Sequence, residues 1–469
     1  MMRLFEAKKI HCIGIKGAGM TALAELLTKN GVTVTGSDTS EIFFTDAILR
    51  GLRIQVKESF TPENIPTDCE VIVYSTAYSP ERNSELQAAF AGGRTVMSYP
   101  EALGLLTQEK LSVAVCGTHG KTTTSALLAH TLKELGLDPS AIIGSQITNW
   151  GGNALAGEGK FFVLEADEYQ NKLRFYHPLG VILTSVDWDH PDFFPTVTEY
   201  QRVFEEFVAR IPRHGFLVAC DESAAVRLVA QQTKASKILY GFHEESDVRI
   251  MEYMSIDPES VEGASGFLQR FSLTIQNQTY GPLYLRLSGR HNALNAAAVV
   301  SVLWQLNLLT DDVSKALETF RGTKRRFEKI GAYRGALVYD DYAHHPDEVR
   351  ATLSAFRELY PKRKLKVIFH PHTFTRTKAL FEEFTTAFEA ADEVTLLDIY
   401  GSAREAQGGV SSEKLVEAIN RYTPGKAFYA HDRALLMKRL RESIGKDDLC
   451  VTMGAGDVWQ LGEALVHKT

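Results

Sequence analysis

Short apolar runs alternate along most of the chain with longer segments in which apolar residues recur at helical spacing. The apolar runs predict buried strands, and the segments between them predict helices. Regular alternation of strand and helix favours parallel sheets covered by helices, so we predict an α/β fold. The chain has 469 residues. Since this exceeds what one hydrophobic core holds, we expect about two to four domains.

Residues 1–109 have the pattern of an N-terminal Rossmann-like domain. The predicted elements are a strand at 9–15, the glycine turn GIKGAG (14–19), a helix at 20–30 and a second strand at 32–36. Two polar residues, Ser37-Asp38, follow the second strand. An acid about 20 residues after a glycine turn is typical of dinucleotide-binding domains. The spacing is GxxGxG and not GxGxxG, so it indicates NAD only weakly. A turn that serves only tight packing of strand on helix remains the alternative.

The central unit, residues 110–323, begins with the most informative segment of the chain. An apolar strand at 113–116 is followed by GTHGKT (117–122) and by a helix at 123–133. Glycines let backbone N–H groups approach a phosphate, Lys121 can neutralise the terminal phosphates, and the Thr122 hydroxyl can bind Mg²⁺. The glycine that the general phosphate-loop pattern requires earlier is replaced by Val115. The motif is therefore a shorter variant, and it predicts a P-loop ATPase-type domain.

Further strands complete this unit and a third one. Predicted strands of the central unit lie at 141–144, 161–165, 181–186 and 216–220, residues 245–288 are predicted to form a small antiparallel insert, and a helix follows at 293–306. The third unit, residues 324–469, repeats the alternation, with strands at 336–339, 365–369, 393–397 and 449–453 and helices at 346–359 and 379–388. We predict a mostly parallel central sheet and a second Rossmann-like domain at the C-terminus.

Composition and charge narrow the class of protein. The net charge is −7 and acids and bases are mixed along the chain, so nothing indicates binding to nucleic acid or to a membrane surface. The five cysteines are odd in number and lie mostly in apolar runs, which predicts free thiols in a reducing compartment. No run of 18 apolar residues and no leader-like N-terminus is present. We therefore expect a cytoplasmic protein without membrane insertion.

Polar clusters follow several of the predicted strands, where open α/β sheets bind their ligands. Glu165, Asp167 and Glu168 follow the strand at 161–165, and a carboxylate opposite a Lys-Thr loop suits a Mg²⁺ ligand or a water-positioning acid. A solvated acidic loop is the alternative. The segment DWDH (187–190) follows the next strand. Its histidine is more often structural, but two neighbouring acids favour a metal or phosphate contact.

The remaining polar clusters lie in the second half of the chain. Asn292 and Asn295 open a helix, where they can either bind an adenine edge or cap the helix. The segment Arg325-Arg326-Phe327 lies in a predicted linker from which an arginine can reach a phosphate. The segments DDYAHHP (340–346) and HPHTFTR (370–376) follow adjacent strands and predict a substrate pocket. These residues indicate an ATP-using enzyme whose site lies between domains. A kinase, an ATPase coupled to motion and a ligase that activates a carboxylate all remain open.

The motifs taken together resemble those of the Mur ligase family, the ATP-dependent amino-acid ligases of peptidoglycan assembly. The resemblance covers the whole chain and rests on nine segments: GIKGAGM (14–20), GTHGKTTT (117–124), EADE (165–168), DH (189–190), GRHNALNA (289–296), RRF (325–327), DDYAHHP (340–346), HPHTFTRTK (370–378) and GAGD (454–457). It implies three domains, ATP and Mg²⁺ as cofactors, and an acyl-phosphate intermediate. It favours the branch that joins L-alanine to UDP-N-acetylmuramate, as a monomer or homodimer.

The resemblance also implies roles for individual residues. The implied catalytic residues are Lys121, Glu165, His190 and Arg326, and the implied metal ligands are Thr122, Glu165 and His190. The implied ATP-binding residues are Gly117, Thr118, His119, Gly120, Lys121, Thr122, Thr123, Asn292, Asn295, Arg326 and Asp341. The implied substrate-binding residues are Gly17, Ala18, Gly19, Ser37, Asp38 and Thr76 for the UDP-sugar and Tyr342, His344, His372 and Arg376 for the amino acid.

Two alternatives remain beside this interpretation. A recycling ligase of the same family would join the tripeptide L-alanyl-γ-D-glutamyl-diaminopimelate to the same UDP-sugar, and it shares the EADEY segment found at 165–169. A nucleotide-binding regulatory protein without ligase activity would not need His344, His372 and Arg376 at the site.

Since an exposed loop lysine contributes little to stability, we expect Lys121→Ala to abolish turnover and to leave the fold intact.

Overall fold

The computed structural model describes residues 4–43, 45–258, 260, 266–401 and 408–467. These residues form three α/β units, each built on its own sheet. The prediction of a three-domain α/β fold with mostly parallel sheets is confirmed. The exact boundaries 109/110 and 323/324 stay a prediction, and the chain ends at 1 and 469 lie outside the described residues.

The N-terminal unit is a five-stranded parallel sheet with the order β3-β2-β1-β4-β5. Its elements are β1 Lys9–Ile13, α1 Ala18–Lys29, β2 Thr33–Ser37, α2 Thr45–Gly51, β3 Val56–Lys57, β4 Val71–Tyr74, α3 Ser84–Ala91, β5 Thr95–Ser98 and α4 Tyr99–Glu109, with short 3₁₀ turns at Leu4–Glu6 and Pro62–Asn64. The chain order reverses between β1 and β4, so the crevice typical of Rossmann-like sheets opens there.

The central unit is a ten-stranded sheet with the order β15-β14-β13-β12-β11-β10-β6-β9-β7-β8. Its elements are β6 Leu111–Cys116, α5 Lys121–Glu134, β7 Ser140–Ile142, β8 Ala154–Leu155, β9 Phe161–Glu165, a 3₁₀ segment Tyr169–Phe175, β10 Gly180–Leu183, α6 Val197–Ala209, β11 Phe216–Cys220, α7 Ala224–Ala230, β12 Ser236–Gly241, β13 Val248–Ser255, β14 Gln269–Ile275, β15 Gln278–Leu285, α8 Arg290–Gln305 and α9 Asp312–Glu318.

The predicted insert at 245–288 is antiparallel, as expected, but it is not a separate layer. The strands β13, β14 and β15 pair antiparallel with one another, and β13 pairs parallel with β12, so the segment extends the central sheet. Residues 259 and 261–265 of this segment lie outside the described residues.

Strand β10 ends three residues earlier than the apolar run predicts. Beyond Leu183 the chain supports the phosphate loop instead of the sheet edge: Thr184 N–H donates to Cys116 O at 3.0 Å, and its hydroxyl donates to His119 O at 2.5 Å. The apolar pattern could not reveal this change, because Val186 continues the run in sequence after the ladder has ended.

The C-terminal unit is a six-stranded sheet with the order β16-β17-β21-β18-β19-β20, parallel except for β16. Its elements are β16 Glu328–Tyr333, β17 Ala336–Asp341, α10 Pro346–Leu359, β18 Lys364–Phe369, α11 Phe374–Ala379, α12 Phe381–Thr386, β19 Glu393–Leu396, α13 Ser412–Tyr422, β20 Ala427–Tyr429, α14 Arg433–Ser443, β21 Asp448–Met453 and α15 Trp459–Val466. The single helix predicted at 379–388 is two short helices divided at Leu380.

Apolar packing joins the first two units, whereas the third unit meets the second both through ion pairs such as Arg376–Asp189 and through Trp188 and Leu268, which pack against its apolar cluster. One buried apolar cluster runs from the N-terminal helices α1 and α4 into the central strands β6 and β9.

All five cysteines are free and buried, as predicted. Among the described residues, no helix has both the length and the apolar character needed to cross a bilayer.

Candidate active site

The phosphate loop connects β6 to α5 at the carboxyl edge of the central sheet. Gly120 stands just before the helix at φ +78°, and a Cβ there would lie 2.8 Å from Asn295 Oδ1, so the position requires glycine. Helix α5 then begins at Lys121, two residues before the predicted start. The first N–H groups of α5 are thus available to an anion at the loop, as the sequence predicts.

Lys121 is enclosed by the protein, which corrects the expectation of an exposed lysine. Its side chain is 14 % exposed and donates to Gly117 O at 2.5 Å, Thr118 O at 3.1 Å and Glu168 Oε2 at 2.9 Å. Burial opposes the charge, but the attraction of Glu168 and neighbouring acids outweighs it and raises the pKa of Lys121. The lysine is therefore charged, and its partner Glu168 is 1 % exposed.

The predicted metal ligands lie together beside this lysine. Thr122 Oγ1 donates to Glu165 Oε1 at 2.7 Å, and Glu165 Oε2 accepts from Gly144 N–H at 2.6 Å. His190 belongs to a second group with Asp167 and Glu168, whose potential ligand atoms all lie within 4.8 Å of one another. Carboxylate and hydroxyl oxygens are the donors that Mg²⁺ prefers, so Thr122 and Glu165 fit Mg²⁺, whereas the imidazole of His190 would be an unusual direct ligand.

A cavity of about 410 Å³ opens on one side of the phosphate loop, between the central and C-terminal units. Eight predicted ATP-binding residues line it: His119, Gly120, Thr122, Thr123, Asn292, Asn295, Arg326 and Asp341. The other three, Gly117, Thr118 and Lys121, lie in the same loop but outside this lining. A cavity of this size beside a phosphate loop has the position expected for a nucleotide.

The two asparagines at the start of α8 hold each other in place. Asn295 Nδ2 donates to Asn292 Oδ1 at 3.1 Å, and Asn292 Nδ2 donates to Ser288 O at 2.7 Å. Thr124 Oγ1 donates to Asn295 Oδ1 at 3.0 Å, which connects this pair to the helix of the phosphate loop. Both side chains are thus ordered at the cavity wall.

Asp341 lies at the end of β17 on the opposite wall. Its carboxylate accepts backbone N–H groups of Phe327 at 2.7 Å and Ala343 at 2.8 Å. Burial nevertheless raises the pKa of Asp341 to about 6. His291 at the same cavity is half-buried, and desolvation lowers its pKa to about 4, so it is neutral at neutral pH.

A second, smaller cavity of about 250 Å³ lies against the first. It brings the four residues predicted to bind the amino acid together with the predicted phosphate and metal residues: Tyr342, His344, His372 and Arg376 with Lys121, Thr122, Glu165 and His190. Arg326 lines both cavities. The structure therefore places groups from two domains, more than 150 positions apart in sequence, around one small space.

Arg376 also holds the C-terminal unit against the central one. Its Nε lies 2.8 Å from Asp189 Oδ1, its Nη2 lies 3.1 Å from Asp189 Oδ2, and the two side chains are 4 % and 8 % exposed. Nη1 contacts His372 Nδ1 at 3.0 Å. Burial disfavours the charge of Asp189, but the guanidinium outweighs it and holds the pKa of that carboxyl well below its usual range. The edge of the guanidinium is thus occupied by Asp189.

The adjacent arginines 325 and 326 have different surroundings. Arg325 Nε donates to Asp340 at 2.9 Å, and its Nη groups donate to the carbonyls of Gly454 at 2.7 Å and Gly456 at 3.0 Å. Arg325 therefore holds the GAG turn in place, whereas Arg326 faces the cavities. The sequence alone did not distinguish these two arginines.

The predicted residues of the N-terminal unit lie apart from both cavities: Gly17, Ala18, Gly19, Ser37, Asp38 and Thr76. They gather at the carboxyl edge of the first sheet. A Cβ at Gly19 would lie 2.5 Å from Tyr99 Oη, so this glycine serves tight packing, as the alternative for the turn requires. Burial, together with the charges of Glu165 and Asp167, raises the pKa of Tyr99, the residue against which Gly19 packs.

Asp38 is already used inside the first unit. Its carboxylate accepts from Lys16 N–H at 2.6 Å, Thr39 N–H at 2.8 Å and Tyr78 Oη at 3.1 Å. The turn faces the central unit, since Asn153 Nδ2 donates to Ala18 O at 2.8 Å. This edge therefore lies beside the central unit, whereas the carboxylate of Asp38 orders its own loop.

Three site residues escaped the sequence reasoning as individual sites: Glu168, Asp189 and Glu348. Glu168 lies in EADE (165–168) beside the predicted ligand Glu165, and Asp189 lies in DWDH (187–190) beside the predicted ligand His190. Glu348 stands two residues beyond DDYAHHP, in the first turn of α10, and lines both cavities. The sequence does contain a signal for Glu348: it is an acid in the first turn of a helix that begins at a predicted pocket.

Comparison with known proteins agrees with this geometry. Three family models match in order: the Mur ligase family catalytic domain at residues 9–111, the Mur ligase middle domain at 115–303, and the Mur ligase glutamate ligase domain at 325–456. A UDP-N-acetylmuramate–L-alanine ligase of Desulfitobacterium hafniense is 38 % identical over 97 % of this chain and 99 % of its own length.

Solved structures give the same result for the fold. The UDP-N-acetylmuramate–alanine ligase of Thermotoga maritima superposes with a TM-score of 0.79 at 26 % identity, covering 98 % of both chains. A murein peptide ligase of Psychrobacter arcticus superposes with a TM-score of 0.70 at 23 % identity, covering 97 % of this chain and 98 % of that one. The second likeness supports the fold alone.

Proposed function

The chain belongs to the Mur ligase family, and on that premise we propose that it joins L-alanine to the lactyl carboxylate of UDP-N-acetylmuramate with ATP. It is an ATP-dependent ligase that forms a C–N bond. One observation carries the proposal: the phosphate-loop residues Lys121 and Thr122 share a cavity with Tyr342, His344 and Arg376 of the C-terminal unit. A ligase needs this arrangement, since phosphate transfer and amine attack occur at the same carbonyl carbon.

The first step makes the acyl phosphate. An oxygen of the lactyl carboxylate attacks the γ-phosphorus of ATP, the bond to the bridging oxygen breaks, and ADP leaves. Charge on the transferred group is greatest during this step, and positioned cations stabilise it. Lys121 and Arg326 supply those cations, because both lie at the small cavity and Arg326 also reaches the nucleotide cavity.

The second step makes the amide. The bound ammonium of L-alanine first loses a proton to water, its uncharged amine then attacks the acyl carbon, and the tetrahedral intermediate loses a second proton as it collapses to the amide and inorganic phosphate. Arg376, with His344 and His372, binds the carboxylate of L-alanine. The edge of Arg376 is occupied by Asp189, so the alanine carboxylate meets the Nη end of the guanidinium.

The nucleotide and Mg²⁺ are bound by the remaining predicted residues. Asn292 and Asn295 hold the adenine, and Asp341 holds the ribose, at the walls of the larger cavity. Thr122, Glu165 and His190 would hold Mg²⁺, whose chemistry is to neutralise phosphate charge and polarise the transferred group. The oxygen-rich donor set of Thr122 and Glu165 supports this assignment.

Each domain then has one main ligand. Residues 1–109 bind the UDP-sugar, residues 110–323 bind ATP, and residues 324–469 bind the amino acid. The UDP-sugar site uses Gly17, Ala18 and Thr76 at the edge that faces the central unit. We place the reaction in the cytoplasm, because it uses ATP and the five thiols are free. The enzyme acts as a monomer or homodimer.

A phosphate-release assay tests the proposal. The purified protein is given ATP, Mg²⁺ and UDP-N-acetylmuramate together with L-alanine, glycine, L-serine or the tripeptide L-alanyl-γ-D-glutamyl-diaminopimelate. We expect release that depends on the UDP-sugar and is fastest with L-alanine, because the small cavity suits a free amino acid. Preference for the tripeptide would assign the chain to the recycling branch, and no dependence on the UDP-sugar would refute ligase activity.

A further inference from the structure

The smaller cavity contains charges of both signs, whereas the proposed binding of the L-alanine carboxylate uses only its cations. A free amino acid in water carries an ammonium and a carboxylate on the same carbon. Removing both from water requires a partner of opposite sign for each, because an unpaired charge in a buried site is costly. Arg376 provides the cation for the carboxylate. The ammonium requires an anion nearby.

Three carboxylates of described residues line this cavity: Glu165, Asp189 and Glu348. Glu165 is bound to Thr122 and to Gly144 N–H, at the predicted metal position. Asp189 is held along both oxygens by Arg376. Glu348 is the carboxylate that remains: it is not assigned to the metal, and although its contact with His119 joins the two units, its side chain still borders the cavity.

Glu348 is placed between groups that preserve its negative charge. Oε2 accepts His344 N–H at 3.1 Å, Oε1 lies 3.2 Å from His119 Nδ1, and Arg326 Nη1 lies 3.6 Å from Oε1. Burial opposes ionisation, but the hydrogen-bonding contact with His119 and the charges of His119 and Arg326 outweigh it and hold the pKa of Glu348 well below its usual range. Its side chain is 11 % exposed, so it still borders the cavity.

The charge of Glu348 also reaches the predicted carboxylate site. The carboxylate of Glu348 is among the charges that raise the pKa of Arg376, after Asp189. The nearby His344 cannot replace it as an anion, and burial lowers the pKa of His344 to about 3, so that ring is neutral. An anion and a cation therefore face the same small space from two elements of one domain, α10 and α11.

We propose that Glu348 binds the α-ammonium group of the incoming amino acid while Arg376 binds its carboxylate. This inference rests on the proposed ligase function and extends it to a residue that the sequence analysis did not select. The pair orients L-alanine by both of its charged groups, so the nitrogen faces the phosphate-loop side of the cavity. The tripeptide begins with the same L-alanyl ammonium, and this subsite is compatible with it as well.

The experiment compares three nucleophiles on Glu348→Gln, which keeps the shape and removes the charge. L-Alanine carries both charges, L-alaninamide carries only the ammonium, and hydroxylamine is uncharged at neutral pH. Hydroxylamine attacks the acyl carbon of the intermediate, forming a C–N bond and releasing phosphate, and the product hydroxamate is measured by its iron complex. The matched control is Glu358→Gln, in the same helix, where the carboxylate contacts Ser255 Oγ at 3.1 Å outside both cavities.

We expect Glu348→Gln to raise KM for L-alanine and for L-alaninamide by roughly 10–100-fold, the effect of losing one charge-assisted hydrogen bond. Hydroxamate formation should fall by a clearly smaller factor than the affinity for either ammonium-bearing nucleophile, and Glu358→Gln should leave all three nucleophiles unchanged. Glu348→Asp, which retains the charge, should recover part of the affinity for L-alanine. If Glu348→Gln does not fold, Glu348→Asp decides by the same comparison.

Two results would overturn the inference. An equal loss with hydroxylamine would show that Glu348 only holds the site together, and an unchanged KM for L-alaninamide would show that it does not bind the ammonium. The wild-type enzyme separates this from the proposed function. Hydroxamate that depends on both ATP and UDP-N-acetylmuramate demonstrates carboxylate activation whatever Glu348 does, whereas its absence refutes the ligase proposal itself.

Discussion

Replacing Lys121 by alanine should lower stability as well as abolish turnover. The ammonium of Lys121 lies 2.9 Å from Glu168 Oε2, and the carboxylate of Glu168 is 1 % exposed. Removing the lysine leaves a buried carboxylate without its main counter-charge. The variant Lys121→Ala/Glu168→Gln removes that charge as well, so the two variants separate stability from catalysis.

The expected loss of stability follows from the contacts that remain. Removing one partner of a buried ion pair costs about 3–5 kcal/mol. Tyr200 Oη still donates to Glu168 Oε1 at 3.1 Å, and His190 Nε2 lies 3.8 Å away, so we take the lower end, about 3 kcal/mol. For a unit the size of the central domain, this lowers Tm by roughly 6–12 °C.

Thermal unfolding and phosphate release test both parts. We expect Lys121→Ala to melt well below the wild type and to lose a factor of about 10²–10⁴ in rate or more. The double variant should recover most of the Tm and none of the activity. A Tm of Lys121→Ala within about 2 °C of the wild type would refute the buried pair, and a double variant as unstable as the single one would show that the charge of Glu168 is not the cause.

Three further predictions concern other parts of the site. Glu165→Gln should raise the Mg²⁺ requirement by about tenfold or more, measured by Mg²⁺ titration of phosphate release, since a charged oxygen donor is lost. The affinity for ATP should fall as pH drops through about 6, where Asp341 becomes protonated; calorimetry between acid and neutral pH should show a flat profile for Asp341→Asn. Arg376→Ala should raise KM for L-alanine on the order of tenfold or more and KM for ATP much less, in the same steady-state assay.

A specific result would contradict each of these three predictions. Full activity of Glu165→Gln at ordinary Mg²⁺ would show that Glu165 is not a ligand. A wild-type ATP affinity that is constant through pH 6 would mean that the ionisation of Asp341 does not govern nucleotide binding. Equal changes in KM for L-alanine and ATP in Arg376→Ala would mean that the arginine acts only through its contact with Asp189.

The sequence predicted the parts of the site that single segments build. A phosphate loop needs glycine, lysine and threonine at fixed spacing after a strand, so residues 117–122 and the strand before them were recognisable at once. The same holds for the acids after β9 and the histidines after β17 and β18. Parallel strands end at a common edge, and this geometry brings such segments together.

The sequence could not predict which side chain of a segment faces the cavity or pairs across domains. Arg376 and Asp189 are 187 positions apart, and no local pattern connects them. Arg325 and Arg326 are identical in chemistry, and only the GAG turn and Asp340, which meet Arg325, decide between them. Lys121 was expected to be exposed because a loop lysine usually is, but Glu168 and two carbonyls enclose it.

The shared wall between the two cavities has a consequence for drug design. Arg326 and Glu348 line both spaces, and the C-terminal domain that supplies Glu348 is held in place by the buried contact of Arg376 with Asp189. A bisubstrate inhibitor that spans this wall would contact both domains, so separation of the domains would remove part of its contacts. Resistance through Arg326 or Glu348 would require changes at positions that the proposed reaction itself uses.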